Sequence, residues 1–136
     1  MMPPPVLVIT PMSTATTAGI FAWSASVTPT TLKKGVQVSV PVTVTNKGSS
    51  TWSVAQQFHL SYHWFLGNSL IVHDGLRTNL PGDVAACKAA VVNAALKAPD
   101  LPGTYTLRWD MVQEGVAWFS ETYGVTPGNV TVTITP

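Results

Sequence analysis

Hydrophobic and polar residues alternate along most of the chain from Phe21 onward. The clearest case runs from Val36 to Thr45, where five valines occupy every second position. A period of two places the two sets of side chains on opposite faces of a β-strand. Because Pro41 stands within this run and cannot donate to a ladder, we predict a sheet edge or a bulge there.

The same alternation predicts further strands over residues 21–27, 58–66, 70–73, 104–112, 116–120 and 130–134. Gly67-Asn68, Pro81-Gly82 and Glu114-Gly115 are typical turn sequences between them. Residues 84–96 are rich in alanine and valine, but their position among strands, with prolines close behind, favours a strand over a helix. About seven to nine strands with turns roughly every 8–12 residues are typical of an all-β, immunoglobulin-like antiparallel β-sandwich.

Residues 1–19 differ from the rest of the chain. Proline-rich sequence and a Ser/Thr/Ala-rich run flank an apolar stretch that consists of Val6, Leu7, Val8 and Ile9. Proline favours extended backbone, and such polar runs are typical of linkers. We therefore divide the chain into an extended N-terminal arm, residues 1–19, and a sandwich, residues 20–136. We expect the arm to add a strand to the open sheet edge of a protein partner or of another copy.

Composition agrees with a β-sandwich and excludes several classes of partner. Only 10% of the residues are charged, whereas an average domain has about 25%. The basic residues are scattered and the net charge is +1, so the basic stripe that nucleic-acid binding needs is absent. The chain contains no run of about 18 apolar residues, so we expect no membrane insertion. A single cysteine, Cys87, excludes an intramolecular disulfide, and its alanine-rich surroundings predict a small buried side chain.

Three motifs follow one another in a fixed order: Asn46-x-Gly48-x-x-Thr51-Trp52, then Ala98-Pro99-x-x-Pro102-Gly103-x-Tyr105-x-Leu107-x-Trp109, then Gly115-x-x-Trp118-Phe119. Their order and spacing resemble the four-tryptophan immunoglobulin-like domain of selective-autophagy receptors. The stretch from Leu107 to Phe119, with Ser61-Tyr62-His63-Trp64 upstream, resembles still more that domain's bacterial relatives on surface and secreted proteins. The resemblance covers residues 30–136, with Ser120 standing where the receptors usually have glycine. It implies a non-enzymatic sandwich used for protein recognition or as a spacer, and it carries over no catalytic residue.

The aromatic residues divide into core and surface candidates. We assign five residues to the structural core: Trp52, Tyr105, Trp109, Trp118 and Phe119. The hydroxyl of Tyr105 can tie down the turn before its strand, as a tyrosine corner does. Trp23, Trp64 and Tyr123 are placed less firmly in the core, so we take Trp23 and Trp64, together with the arm, as interaction candidates. Exposed rings could also stack on a carbohydrate.

Candidate chemistry in the sequence is sparse. His59 and His63 share a strand face but lie about 13 Å apart, too far to bind one zinc ion, whereas His73 could approach His63 across the hairpin. Asp110 and Glu114 are the nearest carboxylate pair for glycoside hydrolysis. The alternation predicts that Asp110 and the histidines face solvent. We expect no metal, no cofactor and no enzymatic activity.

Two functions remain for a small module of this kind. The first is a non-catalytic structural or protein-interaction module, of which an accessory subunit of a larger assembly, such as a phage virion decoration or tail protein, is the favoured form. The alternative is a cell-surface adhesion or carbohydrate-binding domain of a secreted bacterial protein. The start of the chain lacks the basic and long apolar regions of a secretory signal. We therefore expect cytoplasmic synthesis without Sec export and a final location on a virion or a cell surface.

Overall fold

The computed structural model describes residues 21–26, 28–123 and 128–136, with side chains except at residues 21–26 and 128. This part of the chain contains ten strands: β1 (Phe21–Ser26), β2 (Thr31–Lys33), β3 (Gln37–Asn46), β4 (Phe58–Leu66), β5 (Ser69–Val72), β6 (Thr78–Asn79), β7 (Ala89–Lys97), β8 (Gly103–Gln113), β9 (Ala117–Trp118) and β10 (Gly128–Thr135). A 3-10 turn covers Val54–Gln56, and a four-residue helix, α1, covers Phe119–Thr122.

The strands form two sheets that pack face to face. Sheet A has the order β1-β3-β7, and sheet B has the order β2-β10-β8-β4-β5, with β6 paired to β4 and β9 paired to β8. The pairs are antiparallel apart from β2 and β10, which run parallel. The predicted all-β, immunoglobulin-like sandwich is therefore confirmed, and residues 84–96 do end in a strand, β7.

Three short strands differ from the prediction: two were not predicted, and one is shorter than predicted. The short strands β2 and β6 were not predicted, because three and two residues are too few to show an alternation. The strand expected over residues 116–120 is only the two residues of β9, and the chain then turns into α1. This turn brings Phe119 into the core beside Trp52, with ring centroids 5.8 Å apart.

Pro41 lies in β3, the central strand of sheet A, opposite Asn93 of β7. In the described residues the pairing between β1 and β3 ends at Ser26 and Val42. The N–H groups of Ala95 and Lys97 donate outside sheet A, and Asn93 has the same parity on β7, so position 41 belongs to a pair that exchanges no hydrogen bond. The missing N–H of Pro41 therefore costs no hydrogen bond between β3 and β7.

A single core cluster fills the space between the sheets. Val40, Val42 and Val44 of β3 face the aromatic side chains of sheet B, where Tyr62 and Trp109 make an edge-to-face pair with centroids 5.6 Å apart. Trp52, Tyr105, Trp109 and Phe119 are buried in this cluster. Trp118 is not: its ring is half-buried on the outer face of sheet B, against His63. The assignment of Trp118 to the core was wrong because β9 pairs at the edge of β8, outside the sandwich.

Two of the sequence motifs stabilise turns at opposite ends of the sandwich. The buried Asn46 amide donates to the carbonyls of Ser50 and Val84 and accepts from the Gly48 N–H. At the other end the Tyr105 hydroxyl donates to the Leu101 carbonyl at 2.9 Å, so the predicted tyrosine corner is present.

Candidate functional site

The outer face of sheet B carries the three histidines, and one of them is buried. His63 is only 2% exposed and Asp110 is fully buried, although both were predicted to face solvent. Trp118 covers His63, with ring centroids 4.4 Å apart, and His73 packs against both rings, 5.0 Å from His63 and 5.1 Å from Trp118, as its position across the hairpin suggested. The prediction of a solvated strand face was wrong here because later segments of the chain cross over it.

His63 and Asp110 form a buried, fully hydrogen-bonded pair. Nε2 of His63 lies 2.8 Å from Oδ2 of Asp110, and Nδ1 lies 2.6 Å from the carbonyl oxygen of His73. Because a carbonyl oxygen only accepts, Nδ1 of His63 donates to His73, and Nε2 makes its hydrogen bond with the Asp110 carboxyl group. Asp110 also accepts from the Ser120 hydroxyl at 2.5 Å and from the backbone N–H groups of Met111 and Ser120.

This cluster connects three elements rather than forming a catalytic triad. His63 lies on β4, Asp110 on β8 and Ser120 on α1. The Ser120 hydroxyl donates to the carboxylate and not to the histidine, so the arrangement lacks the serine–base contact of a nucleophilic site. Ser120 is also the position at which the sequence departs from the receptor motif, and its two hydrogen bonds to Asp110 hold α1 against sheet B.

A second polar network lies beside Trp118 at the surface. The Arg77 guanidinium stacks 4.7 Å from the centre of the Trp118 ring and donates to Glu114 at 2.8 Å and to Asp74 at 3.1 Å. His59 donates to the same Glu114 oxygen at 2.8 Å. Desolvation raises the pKa of Glu114, but the hydrogen bonds from Arg77 and His59 outweigh it and the pKa is lowered. The hydrogen bond from Arg77 likewise lowers the pKa of Asp74.

The lowered pKa of Glu114 predicts a loss of stability in acid. A carboxyl group with a depressed folded pKa stabilises the fold above its ordinary pKa, 4.5 here, and this contribution disappears as pH falls through the folded value. We expect Glu114→Gln to lower the free energy of unfolding at pH 7 by at most about 1 kcal/mol, since solvent screens such a pair. The gap from the parent protein should close towards pH 3.

Urea denaturation of the parent and Glu114→Gln proteins between pH 7 and pH 3 measures this gap. Asp100→Asn is the control, because Asp100 is exposed and lies 3.9 Å from its nearest cation, Lys97. The control should follow the parent at every pH. A gap for Glu114→Gln that widens as the pH falls would contradict the assigned direction of the pKa shift.

The main exposed apolar region lies at the β5 edge of sheet B. Eight large hydrophobic side chains of the described residues are exposed, and five of them surround β5, with exposures from 37% to 71%: Leu66, Leu70, Ile71, Leu76 and Leu101. β5 is the last strand of the sheet, and only β4 pairs with it in the described part of the chain. Exposed apolar groups concentrated at an open edge are typical of a binding surface.

A groove of about 330 Å³ runs between β5 and the loop after β7. Ile71 and Leu76 line one wall, Pro99 and Leu101 line the other, and the aromatic floor consists of Tyr62, Trp64 and Tyr105. Three charged residues stand around it: Asp74, Lys97 and Asp100. We refer to these residues as the β5 groove. It is apolar inside and polar at the rim, which is the general form of a recognition site.

Hydrogen bonds from the floor hold the backbone of both walls. The Tyr62 hydroxyl accepts from the Lys97 N–H at 3.0 Å, and the Trp64 indole donates to the Lys97 carbonyl at 3.0 Å. On the opposite wall the Gly75 N–H donates to the Tyr62 carbonyl, and a Cβ at residue 75 would lie 2.5 Å from that oxygen. The groove is therefore preformed rather than assembled by a ligand.

The structure changes the list of interaction candidates. Trp64 is fully buried, so it supports the groove from below and does not contact a partner as an exposed ring; that prediction was wrong. Val6, Leu7, Val8 and Ile9 lie outside the described residues, and so does the side chain of Trp23. Tyr123 packs on Phe119 with ring centroids 5.5 Å apart.

The groove itself was missed by the sequence analysis. A weak signal existed in the apolar residues Leu76 and Leu101, which stand in turns where polar residues are usual. Cys87 was also misplaced: it is exposed, in a turn with a φ of 67°.

The described residues show neither a metal-binding cluster nor a membrane-spanning helix. They contain no group of three or more His, Cys, Asp or Glu side chains that could hold a metal ion. None of their helices has the length and apolar character needed to cross a membrane.

No protein-family profile matches the chain, and no curated protein sequence matches it. Among solved structures, the chain is similar to SSP-19, an MSP-domain protein-like family member of Caenorhabditis elegans. The two are 14% identical over 79% of this chain and 94% of that chain, with a TM-score of 0.31. It is also similar to a family 123 glycoside hydrolase from Clostridium perfringens, at 11% identity over 76% of this chain and 22% of that chain, with a TM-score of 0.35. Likenesses at these TM-scores carry no argument about function.

Proposed function

We propose that this domain is a non-catalytic protein-interaction module that receives an extended segment of a partner protein in the β5 groove. The observation that carries the proposal is the concentration of exposed apolar side chains around the unpaired edge of β5. Strand addition to such an edge supplies main-chain hydrogen bonds, and adjacent apolar pockets select side chains. Both requirements are present on the same side of the sandwich.

The shape of the groove suits a peptide better than a small ligand. Its volume of about 330 Å³ is at the low end of small-molecule pockets, and it follows an edge whose backbone groups a small molecule would leave unpaired. Two or three apolar side chains of an extended segment would cover Ile71 and Leu101. Lys97 and Asp100 at the rim would remain in contact with water.

The outer face of sheet B supports a binding role over a catalytic one. Asp110, the carboxylate considered for acid–base chemistry, is fully buried and makes four hydrogen bonds, with His63, Met111 and Ser120. Its nearest sequence partner, Glu114, is held by Arg77 and His59 at the surface. The two groups therefore do not face a shared cleft in the way that glycoside hydrolysis requires.

The form of the module that we favour is an accessory subunit of a larger assembly, such as a phage virion decoration or tail protein. Its low content of charged residues and preformed apolar groove suit permanent contact with neighbours. The alternative, an adhesion or carbohydrate-binding domain on a cell surface, is weakened because Trp64 is buried and Tyr123 packs on Phe119. Capsid and tail genes beside the gene for this chain would favour the first form, and glycosidase or cell-wall genes the second.

Selection of peptides from a random phage-displayed library on the immobilised protein tests the proposed function. We expect enriched peptides to contain alternating apolar residues, and their binding to be lost with Ile71→Asp, which places a carboxylate in the apolar wall. Val91→Asp is the matched control, because Val91 is also exposed (59%) but lies on β7 of sheet A.

Enriched peptides should bind this control as they bind the parent protein. If no peptide is enriched, or if Ile71→Asp and Val91→Asp bind equally well, the β5 groove is not the interaction site.

A further inference from the structure

The β5 groove sets clear requirements for its occupant. β5 is four residues long, and the neighbouring walls are apolar, so a matching segment needs about four extended residues with apolar side chains. Charged residues within that segment would lose hydration against Ile71 and Leu101 without a partner inside the groove.

The chain itself contains such a segment before β1. Residues 6–9 read Val-Leu-Val-Ile, and no charged residue occurs anywhere in residues 1–20. Valine and isoleucine favour the extended backbone of a strand. A hydrophobic four-residue segment thus matches β5 in length and the groove in polarity.

The register shows that β1 begins far from the groove of its own chain. Phe21 pairs with Asn46 at one end of β3, whereas Lys97, beside the groove, pairs with Gln37 at the other end. Nine residue steps separate Gln37 from Asn46, which is about 30 Å along the strand. β1 also lies on the opposite side of β3 from β7, and the groove lies beyond β7 in sheet B.

The chain between Ile9 and Phe21 is barely long enough for residues 6–9 to reach the β5 groove of the same molecule. The groove is also displaced sideways from Phe21 by two strand spacings, about 10 Å together, and by one sheet separation of about 10 Å. Combined at right angles with the roughly 30 Å along the strand, these give a straight-line distance of about 33 Å from Phe21 to the groove. The twelve residue steps from Ile9 to Phe21 span at most about 40 Å when fully extended. A route around the outside of the sandwich would use all of this length, whereas a neighbouring molecule can be reached without such stretching.

We propose, resting on the function proposed above, that the occupant of the β5 groove is residues Val6–Ile9 of a second copy of this chain. The segment pairs with the free edge of β5 and places alternate side chains against the groove walls. The contact is heterologous, because arm and groove are different surfaces. Exchange between two copies closes a dimer, and exchange in one direction builds a longer assembly.

Another terminal strand, β7 of sheet A, suits this role less well. The backbone N–H of Ala95 already donates to the Thr78 hydroxyl, and that of Lys97 donates to the Tyr62 hydroxyl. The remaining stretch has only Val91 as an exposed large apolar side chain. Val91→Asp is therefore a control that tests the choice of edge as well as the general effect of an added charge.

Sedimentation velocity of the full-length protein over a range of concentrations tests this proposal. The parent protein should self-associate, and Val8→Asp in the arm and Ile71→Asp in the groove should each weaken association by about tenfold or more, since each buries an unpaired carboxylate. Val91→Asp should associate like the parent. An equimolar mixture of Val8→Asp and Ile71→Asp should form heterodimers, because one intact arm meets one intact groove.

The outcomes separate this proposal from the function on which it rests. A parent protein that stays monomeric, a Val8→Asp protein that associates normally, or a mixture that stays monomeric would overturn the arm as occupant. Peptide selection that still depends on Ile71 would then leave the groove as a binding site for another protein. Circular dichroism checks folding of each variant, and Leu101→Asp, at the most exposed position of the wall, replaces Ile71→Asp if that variant is unfolded.

Discussion

Replacing Asp110 by alanine is expected to lower the free energy of unfolding by about 3–5 kcal/mol, the usual cost of removing one partner from a buried salt-bridge contact. The change leaves Nε2 of the buried His63 ring without its hydrogen-bond partner. It also removes the acceptor of the Ser120 hydroxyl and of two backbone N–H groups. Because these donors come from β4, β8 and α1, the loss should spread across sheet B.

Urea denaturation at pH 7 measures this effect, with Asp100→Ala as the control for removal of an exposed aspartate. The control should change the free energy of unfolding by less than about 0.5 kcal/mol. The double variant His63→Ala/Asp110→Ala should be more stable than the sum of the two single losses implies, because neither side chain remains buried without its partner. Additive losses, or an Asp110→Ala protein as stable as the control, would show that the pair does not exist in solution.

Replacing Trp109 by alanine is expected to unfold the domain rather than to alter a binding site. Trp109 is fully buried, packs edge-to-face on Tyr62 and donates through its indole N–H to the Thr28 hydroxyl at 3.0 Å. Truncation of a buried tryptophan costs about 3–5 kcal/mol, a large share of the roughly 5–15 kcal/mol that stabilises a domain.

Thermal unfolding followed by circular dichroism tests this expectation. Trp109→Phe, which retains an aromatic ring, should lose less stability than Trp109→Ala. Trp118→Ala should also lose less, because Trp118 is only half-buried and lies outside the core. If the Trp109→Ala protein melted within a few degrees of the parent, Trp109 would be a surface residue and a candidate for partner contact.

The alternation of side chains was sufficient to predict the sandwich. Five alternate valines between Val36 and Val44 define one face of β3, and the odd and even positions of β8 separate Trp109 from Asp110 in the same way. The Tyr105 corner was also predictable, because its hydrogen bond to Leu101 spans only four residues. Local patterns of this kind depend on the geometry of a single strand or turn.

Burial on the outer face of sheet B was not predictable from the same alternation. The pattern correctly separates His63 and Asp110 from the core side, but it contains no information on what covers that side. Trp118 and Ser120 reach the two residues from later in the chain, after the β8–β9 turn. Only the tertiary structure therefore shows that this face contains a buried hydrogen-bonded pair instead of solvated side chains.

The β5 groove shows the same limit at the level of function. Its walls come from β5, from the segment before β6 and from the loop after β7, and none of these short pieces has an alternating pattern of its own. The sequence by itself determined the strands, the inward-facing core and an apolar arm, since each is a local property of the chain. The tertiary structure decided which apolar residues meet at an open edge, because that depends on pairings between residues far apart in sequence.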